Sequence, residues 1–117
     1  MAEFFELSFL VSVDSLSTAN QVIYTPGKGT IRRVTISWPI GCNFLVEAVL
    51  RHKRIPFVPT PSVGANEGIA LDNYTETITP NLWVDINEPI ELYLINHDSS
   101  NSHKVSAIVH IEKGDAE

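Results

Sequence analysis

Phe5-Glu6-Leu7-Ser8-Phe9-Leu10-Val11-Ser12-Val13 is the stretch that decides the fold class. Phe5, Leu7, Phe9, Val11 and Val13 fall on one face of an extended chain, and Glu6, Ser8 and Ser12 on the other. That period of two belongs to a strand buried on one side. The same pattern recurs downstream. Thr30 to Trp38 sets Val34, Ile36 and Trp38 against Arg33, Thr35 and Ser37, and the next run sets Phe44, Val46, Ala48 and Leu50 inward with Glu47 and Arg51 outward. Gln21 to Thr25, Ile69 to Ile78, Leu82 to Ile86, Ile90 to Ile95 and Val105 to Ile111 read as further strands.

Turn chemistry separates these runs. Pro26-Gly27-Lys28-Gly29, Pro39-Ile40-Gly41, Thr79-Pro80-Asn81, Asn87-Glu88-Pro89 and the polar stretch Asn96 to Ser102 each interrupt the alternation, because Pro presets one turn dihedral and Gly accepts positive φ. From Lys53 to Glu67 the chain changes character. Pro56, Pro59, Pro61, Gly64 and Gly68 leave few positions able to join a ladder, which predicts a short edge strand and a long surface loop suited to contact. About eight strands with unequal connections and no helical stripe predict an all-β, antiparallel β-sandwich, with a jelly roll favoured over a meander.

Length and composition narrow the classes. A chain of 117 residues makes one domain, spanning 1–117, and buries roughly two-thirds of its unfolded surface, enough for a core without disulfides. Fourteen Asp and Glu against eight Lys and Arg give a net charge of −6, which excludes nucleic-acid binding through a basic surface. Charged residues make up only 19% of the chain, and four lysines serve the whole surface; another chain is expected to cover part of it. The single Cys42 excludes a disulfide framework. Glu3 and Glu6 interrupt the apolar start and the first basic residue is Lys28, so no signal peptide is expected. No run approaches the roughly 18 apolar residues of a membrane helix.

Catalytic and metal constellations are weak. His97 and His103 bracket a loop whose Asn96, Asp98 and Ser100 offer oxygens of the kind calcium takes, but adjacent His97 and Asp98 lack the i, i+2 spacing of a sheet-borne metal pair. His52 closes one strand and His110 faces outward on the last. There is no Gly-x-Ser-x-Gly elbow, and Gly27-Lys28-Gly29-Thr30 lacks phosphate-loop spacing. Asp72, Glu76, Asp85, Glu88 and Glu91 read as solvated outward acids rather than a glycosidase pair. No catalytic residue, cofactor or metal is therefore expected, and the chain is read as not an enzyme. Trp38 falls in phase with the core. Tyr74, Trp83 and Tyr93 would serve a carbohydrate-binding module if they were exposed and coplanar. Asn73-Tyr74-Thr75 matches a glycosylation sequon and reads as incidental without a leader.

Gly29-Thr30-Ile31-Arg32-Arg33-Val34-Thr35-Ile36 leading to Pro39 and Gly41-Cys42, a strand ending near Pro59, and Asn96-His97-Asp98 followed by His103-Lys104-Val105 resemble small jelly-roll capsid decoration or cement proteins of tailed phages and related viruses. The resemblance spans roughly Gly29 to Glu112 and rests on turn and strand signatures. It implies a non-enzymatic protein on the capsid surface of a virion, made in the host cytoplasm, a homotrimer bound to the major capsid protein. Glu3, Phe4, Phe5, Glu6 and Leu7 on the first strand, Phe57 and Val58 before the Pro-rich loop, and Trp83 are the expected partner-binding residues. Residues 1–13 are expected as an N-terminal strand or an intermolecular arm, removable without loss of the core. A carbohydrate-binding β-sandwich is the alternative.

Overall fold

The structure, a computed structural model, describes residues 3–58 and 68–114. Pro59, Pro61 and Gly64 of the Pro-rich stretch lie outside the described residues. Within them the chain forms β1 (Phe4–Val13), β2 (Thr18–Tyr24), β3 (Gly29–Trp38), β4 (Val46–His52), β5 (Ile55–Val58), β6 (Tyr74–Ile78), β7 (Leu82–Val84), β8 (Pro89–Asn96) and β9 (His103–Lys113). No helix among them is long and apolar enough to cross a membrane.

Two antiparallel sheets result. The larger has the order β1-β9-β3-β6, with β7 also on β3, and the smaller has the order β2-β8-β4-β5. β6 lies opposite Val34–Trp38 and β7 opposite Gly29–Ile31, so the two share one strand position. Pro80 has no N–H to give to a ladder and Asn81 takes φ +57°, which splits that position in two. The nine strands thus fill eight positions, and the chain crosses to the other sheet at each step between positions except from β4 to β5, in the manner of a jelly roll.

The core follows the alternation. Leu7, Phe9, Val11 and Val13 of β1 meet Ile31, Val34, Ile36 and Trp38 of β3 and Val105, Ala107, Val109 and Ile111 of β9, facing Val46, Ala48, Leu50, Ile90, Leu92 and Leu94 of the smaller sheet. Trp38 Nε1 donates to the Val46 carbonyl at 3.0 Å. Phe44 departs from the expected inward set. It precedes β4, takes φ +62° and is 65% exposed, because the Cys42–Leu45 turn (Leu45 N–H to Cys42 O, 2.9 Å) carries it out of the strand. Cys42 is wholly buried, and burial pushes its thiol up, with Asp72 and Asp98 adding to the effect. The run from Ile69 to Ile78 is also divided. Ile69 bridges Ala48 in the smaller sheet, and only after Asn73 (φ +49°) does β6 join the larger one.

β1 is not a free arm. It pairs with β9 of its own chain from Phe4↔Glu112 to Val13↔His103, and Leu10 N–H donates to Gln21 Oε1 at 2.9 Å, tying its outer edge to β2. Four of its side chains belong to the core, which corrects the expectation of a removable segment.

β3 changes phase midway. Gly29 and Ile31 point inward, then Val34, Ile36 and Trp38 do, and the register slips between Ile31 and Arg33, so that Ile31 faces Ile111 while Arg33 faces His110. This is a β-bulge. Arg32 is the inserted residue, and both arginines are exposed. Gly29 marks a close approach, since a Cβ there would sit 2.2 Å from the Glu112 carbonyl oxygen.

Candidate functional site

Pairing brings distant residues into rows on the outer face of the larger sheet. Phe4, Glu112, Thr30 and Trp83 stand in one row across β1, β9, β3 and β7. Glu6, His110 and Arg33 form the next, and Ser8, Ile108, Thr35 and Thr77 the one after. Where the first two rows meet the bulge there is a cleft of about 490 Å³ lined by Phe4, Glu6, Arg32, Arg33, Thr79 and His110. At about 4.8 Å per strand, Phe4 and Trp83 stand roughly 14 Å apart at the ends of their row.

The bulge sets the electrostatics. Arg32 is held, with Nε donating to Glu112 Oε1 at 3.0 Å and Nη1 to Asn81 Oδ1 at 2.7 Å. Among the described residues Arg33 has no hydrogen-bond or ion-pair partner, and its guanidinium stands exposed. Glu6 Oε1 lies 3.7 Å from His110 Nδ1, with the His110 side chain only 14% exposed. Phe4, at 48% exposure, supplies an aromatic wall. A free guanidinium, a mostly buried imidazole with its carboxylate neighbour Glu6, a hydroxyl and an aromatic ring therefore converge on one opening.

The residues expected at the partner surface divide. Phe4 and Glu6 line the cleft and Trp83 shares its face. Glu3 Oε2 accepts from Lys113 Nζ at 3.0 Å, and that ammonium sits 4.6 Å from the Phe5 ring. Leu7 and Val58 are in the core and offer nothing to a partner, while Phe57 packs half-buried against it from the other sheet. Arg32, Arg33, Thr79 and His110 were not among the expected residues. The signal for the arginines lay in the sequence: Gly29 and Ile31 alternate out of phase with Val34, Ile36 and Trp38, so one residue between them had to be extra.

Each histidine pairs with a carboxylate. His52 Nε2 donates to Glu88 Oε1 at 2.8 Å, beside Lys53 Nζ at 2.5 Å from Oε2. Burial pushes the Glu88 carboxyl up, but Lys53, the Asp85 N–H and His52 outweigh it and bring it down to about 2. His103 Nε2 donates to Asp98 Oδ2 at 2.8 Å, and with the N–H of Ser100 this holds Asp98 at about 2 as well. His97 pairs with Glu47, where burial is outweighed by that bond and the Gly68 N–H, and the carboxyl is lowered. Two of the three residues considered for calcium are thus engaged: Asp98 accepts from Ser100, Asn101 and His103, and Asn96 Oδ1 from the Asp98 N–H. Asp72, read as a solvated acid, caps the N–H groups of Gly41 and Asn43 at 2.9 Å. Among the described residues no group of three or more His, Cys, Asp or Glu is arranged to hold a metal ion.

The aromatic residues do not form the coplanar platform that the glycan alternative required. Trp38 is in the core. Tyr93 lies on the smaller sheet under Arg51, 4.3 Å from its ring centre. Tyr74 pairs with Trp38 at the rim of β6, on the opposite face of the larger sheet from Trp83.

No protein-family model matches the chain, and no curated protein does. Solved structures do. FLHE superposes with a TM-score of 0.56 at 12% identity, covering 96% of this chain and 98% of its own. A chain of the cyanophage Pam1 capsid asymmetric unit gives 0.53 at 10%, covering 97% and 84%, and PirA gives 0.50 at 14%, covering 88% and 93%. At these identities the likeness is one of fold alone, and it is the strand orders β1-β9-β3-β6 and β2-β8-β4-β5 that make the chain a jelly-roll β-sandwich. That group includes a capsid chain along with structures that bear other names.

Proposed function

We propose that this chain is a non-enzymatic structural protein of a virion, a homotrimer that decorates or cements the capsid shell through contacts with its own copies and with the major capsid protein. The observation that carries the reading is the placement of exposed apolar side chains. Ile40, at 78% exposure, stands with Phe44 and Leu16 at one end of the sandwich, and Tyr24, Ile55 and Ile86 stand at the other. A soluble monomer rarely leaves such sets at both ends uncovered. The fold likeness to the cyanophage capsid chain supports the same reading, and the net charge of −6 suits a basic patch on the shell.

The test is the solution mass by light scattering at micromolar concentration. Three times the chain mass is expected, falling to one with Ile40→Asp and Phe44→Asp together, followed by co-sedimentation of the trimer with purified capsid shells. A monomer that does not sediment with shells overturns the reading.

A further inference from the structure

We infer that the cleft on the outer face of the larger sheet is a binding site for an acidic saccharide, a sugar residue bearing a carboxylate. The inference goes beyond the decoration role and is independent of oligomer number, because one chain supplies every lining residue.

Charge comes first. In a chain of net charge −6, Arg33 presents a guanidinium that no described acid neutralises, although Glu6 and Glu112 stand on the same face. Glu112 is taken by Arg32 at 3.0 Å and Glu6 faces His110 at 3.7 Å. A planar fork left free in this way matches a carboxylate through two parallel hydrogen bonds.

The surroundings define the rest of the ligand. Phe4 offers a ring to the C–H face of a sugar, and His110, Glu6 and Thr79 offer donors and acceptors to its hydroxyls. Beyond the cleft the face carries hydroxyls around Ile108 and Leu10, with Ser8, Thr35 and Thr77 in one row and Ser106, Ser37 and Thr75 in the next, where Ser37 Oγ lies 3.0 Å from Thr75 Oγ1. A peptide strand fits poorly. The floor is β9 and β3, flanked on both sides within the sheet, so their backbone groups are engaged in ladders and cannot accept another strand.

The bulge makes the site. An unbroken alternation would turn either Arg32 or Arg33 toward the core, whereas the inserted residue places both outside. One then anchors the wall through Glu112 and Asn81 and the other stays free for ligand.

The experiment titrates the intact protein with trigalacturonate, a hyaluronan hexamer and sialyllactose, by calorimetry and by following the His110 ring signals in NMR spectra. At least one is expected to bind and to shift His110. Esterifying its carboxylate, or Arg33→Gln, should weaken binding about tenfold or more. Arg54→Gln, which removes an exposed cation from the β4–β5 turn, should leave it unchanged. Any of four results overturns the inference: no binding by all three sugars, equal binding of the ester, an equal loss in Arg54→Gln, or an oligoglutamate peptide bound as tightly as the sugar.

Discussion

Trp38 of β3 and Val46 of β4 join the two sheets through the core, the indole Nε1 donating to the Val46 carbonyl at 3.0 Å with both residues essentially buried. Replacing Trp38 by Phe removes the donor and leaves both a cavity and an unsatisfied buried carbonyl. The expected loss is about 2–4 kcal/mol. Urea unfolding should show a lower midpoint at unchanged slope. A loss below about 0.5 kcal/mol would mean that the bond adds nothing to the joining of the sheets.

Acid sensitivity follows from Glu88 and Asp98. Both carboxyls are held at about 2 in the folded chain, against ordinary values of 4.5 and 3.8. A depressed folded value supplies stability that is whole above the unfolded value and lost as pH falls through the folded one. Thermal stability should therefore lose these contributions between about pH 4.5 and pH 2. Glu88→Gln and Asp98→Asn should each flatten that fall. Parallel pH profiles for the variants and the parent would refute the assignment.

Deleting residues 2–13 should leave no folded domain. Leu7, Phe9, Val11 and Val13 each contribute about 1.5–3 kcal/mol on burial, and together they rival the 5–15 kcal/mol that typically holds a domain. Circular dichroism of the truncated chain should show a loss of strand signal. A cooperative thermal transition in that chain would show that β1 is dispensable.

Gly29→Ala should destabilise the chain by about 1–3 kcal/mol, since the new methyl would sit 2.2 Å from the Glu112 carbonyl oxygen and 2.9 Å from Ile111 Cγ2. At Gly41 the same methyl meets no atom within 4 Å, although its φ of +104° opposes any side chain. Comparing the two by thermal melting separates crowding from backbone strain, and Gly29→Ala without effect would disprove the close approach.

Much of the architecture was legible because it is written in alternation. Period two placed β1, β3, β8 and β9, and the turn residues placed their ends. What was hidden is non-local. Phe4, Arg33 and His110 meet only because β1 and β3 flank β9 in one register, and Thr79 joins them because β6 pairs with β3 up to Val34↔Ile78; no spacing along the chain encodes that. Phe44 misled because it kept the alternation of a strand that had not yet begun, and the split between β6 and β7 was hidden because Pro80 read as the end of a strand rather than a break within one position. The unequal connections indicated a jelly roll, but the order of its strands had to come from the pairing itself.

The bulge in β3 also constrains how this chain can change over evolutionary time. Its two halves face the core in opposite phase, and one residue reconciles them. Losing a single codon at Arg32 or Arg33 would turn one half of the strand inside out, exposing Gly29 and Ile31 or else Val34, Ile36 and Trp38. Since neither side chain is buried, packing does not restrict which residue stands there, but it does restrict the length. Homologous chains are therefore expected to keep the number of residues between Ile31 and Val34 even where they differ in the chemistry of the cleft.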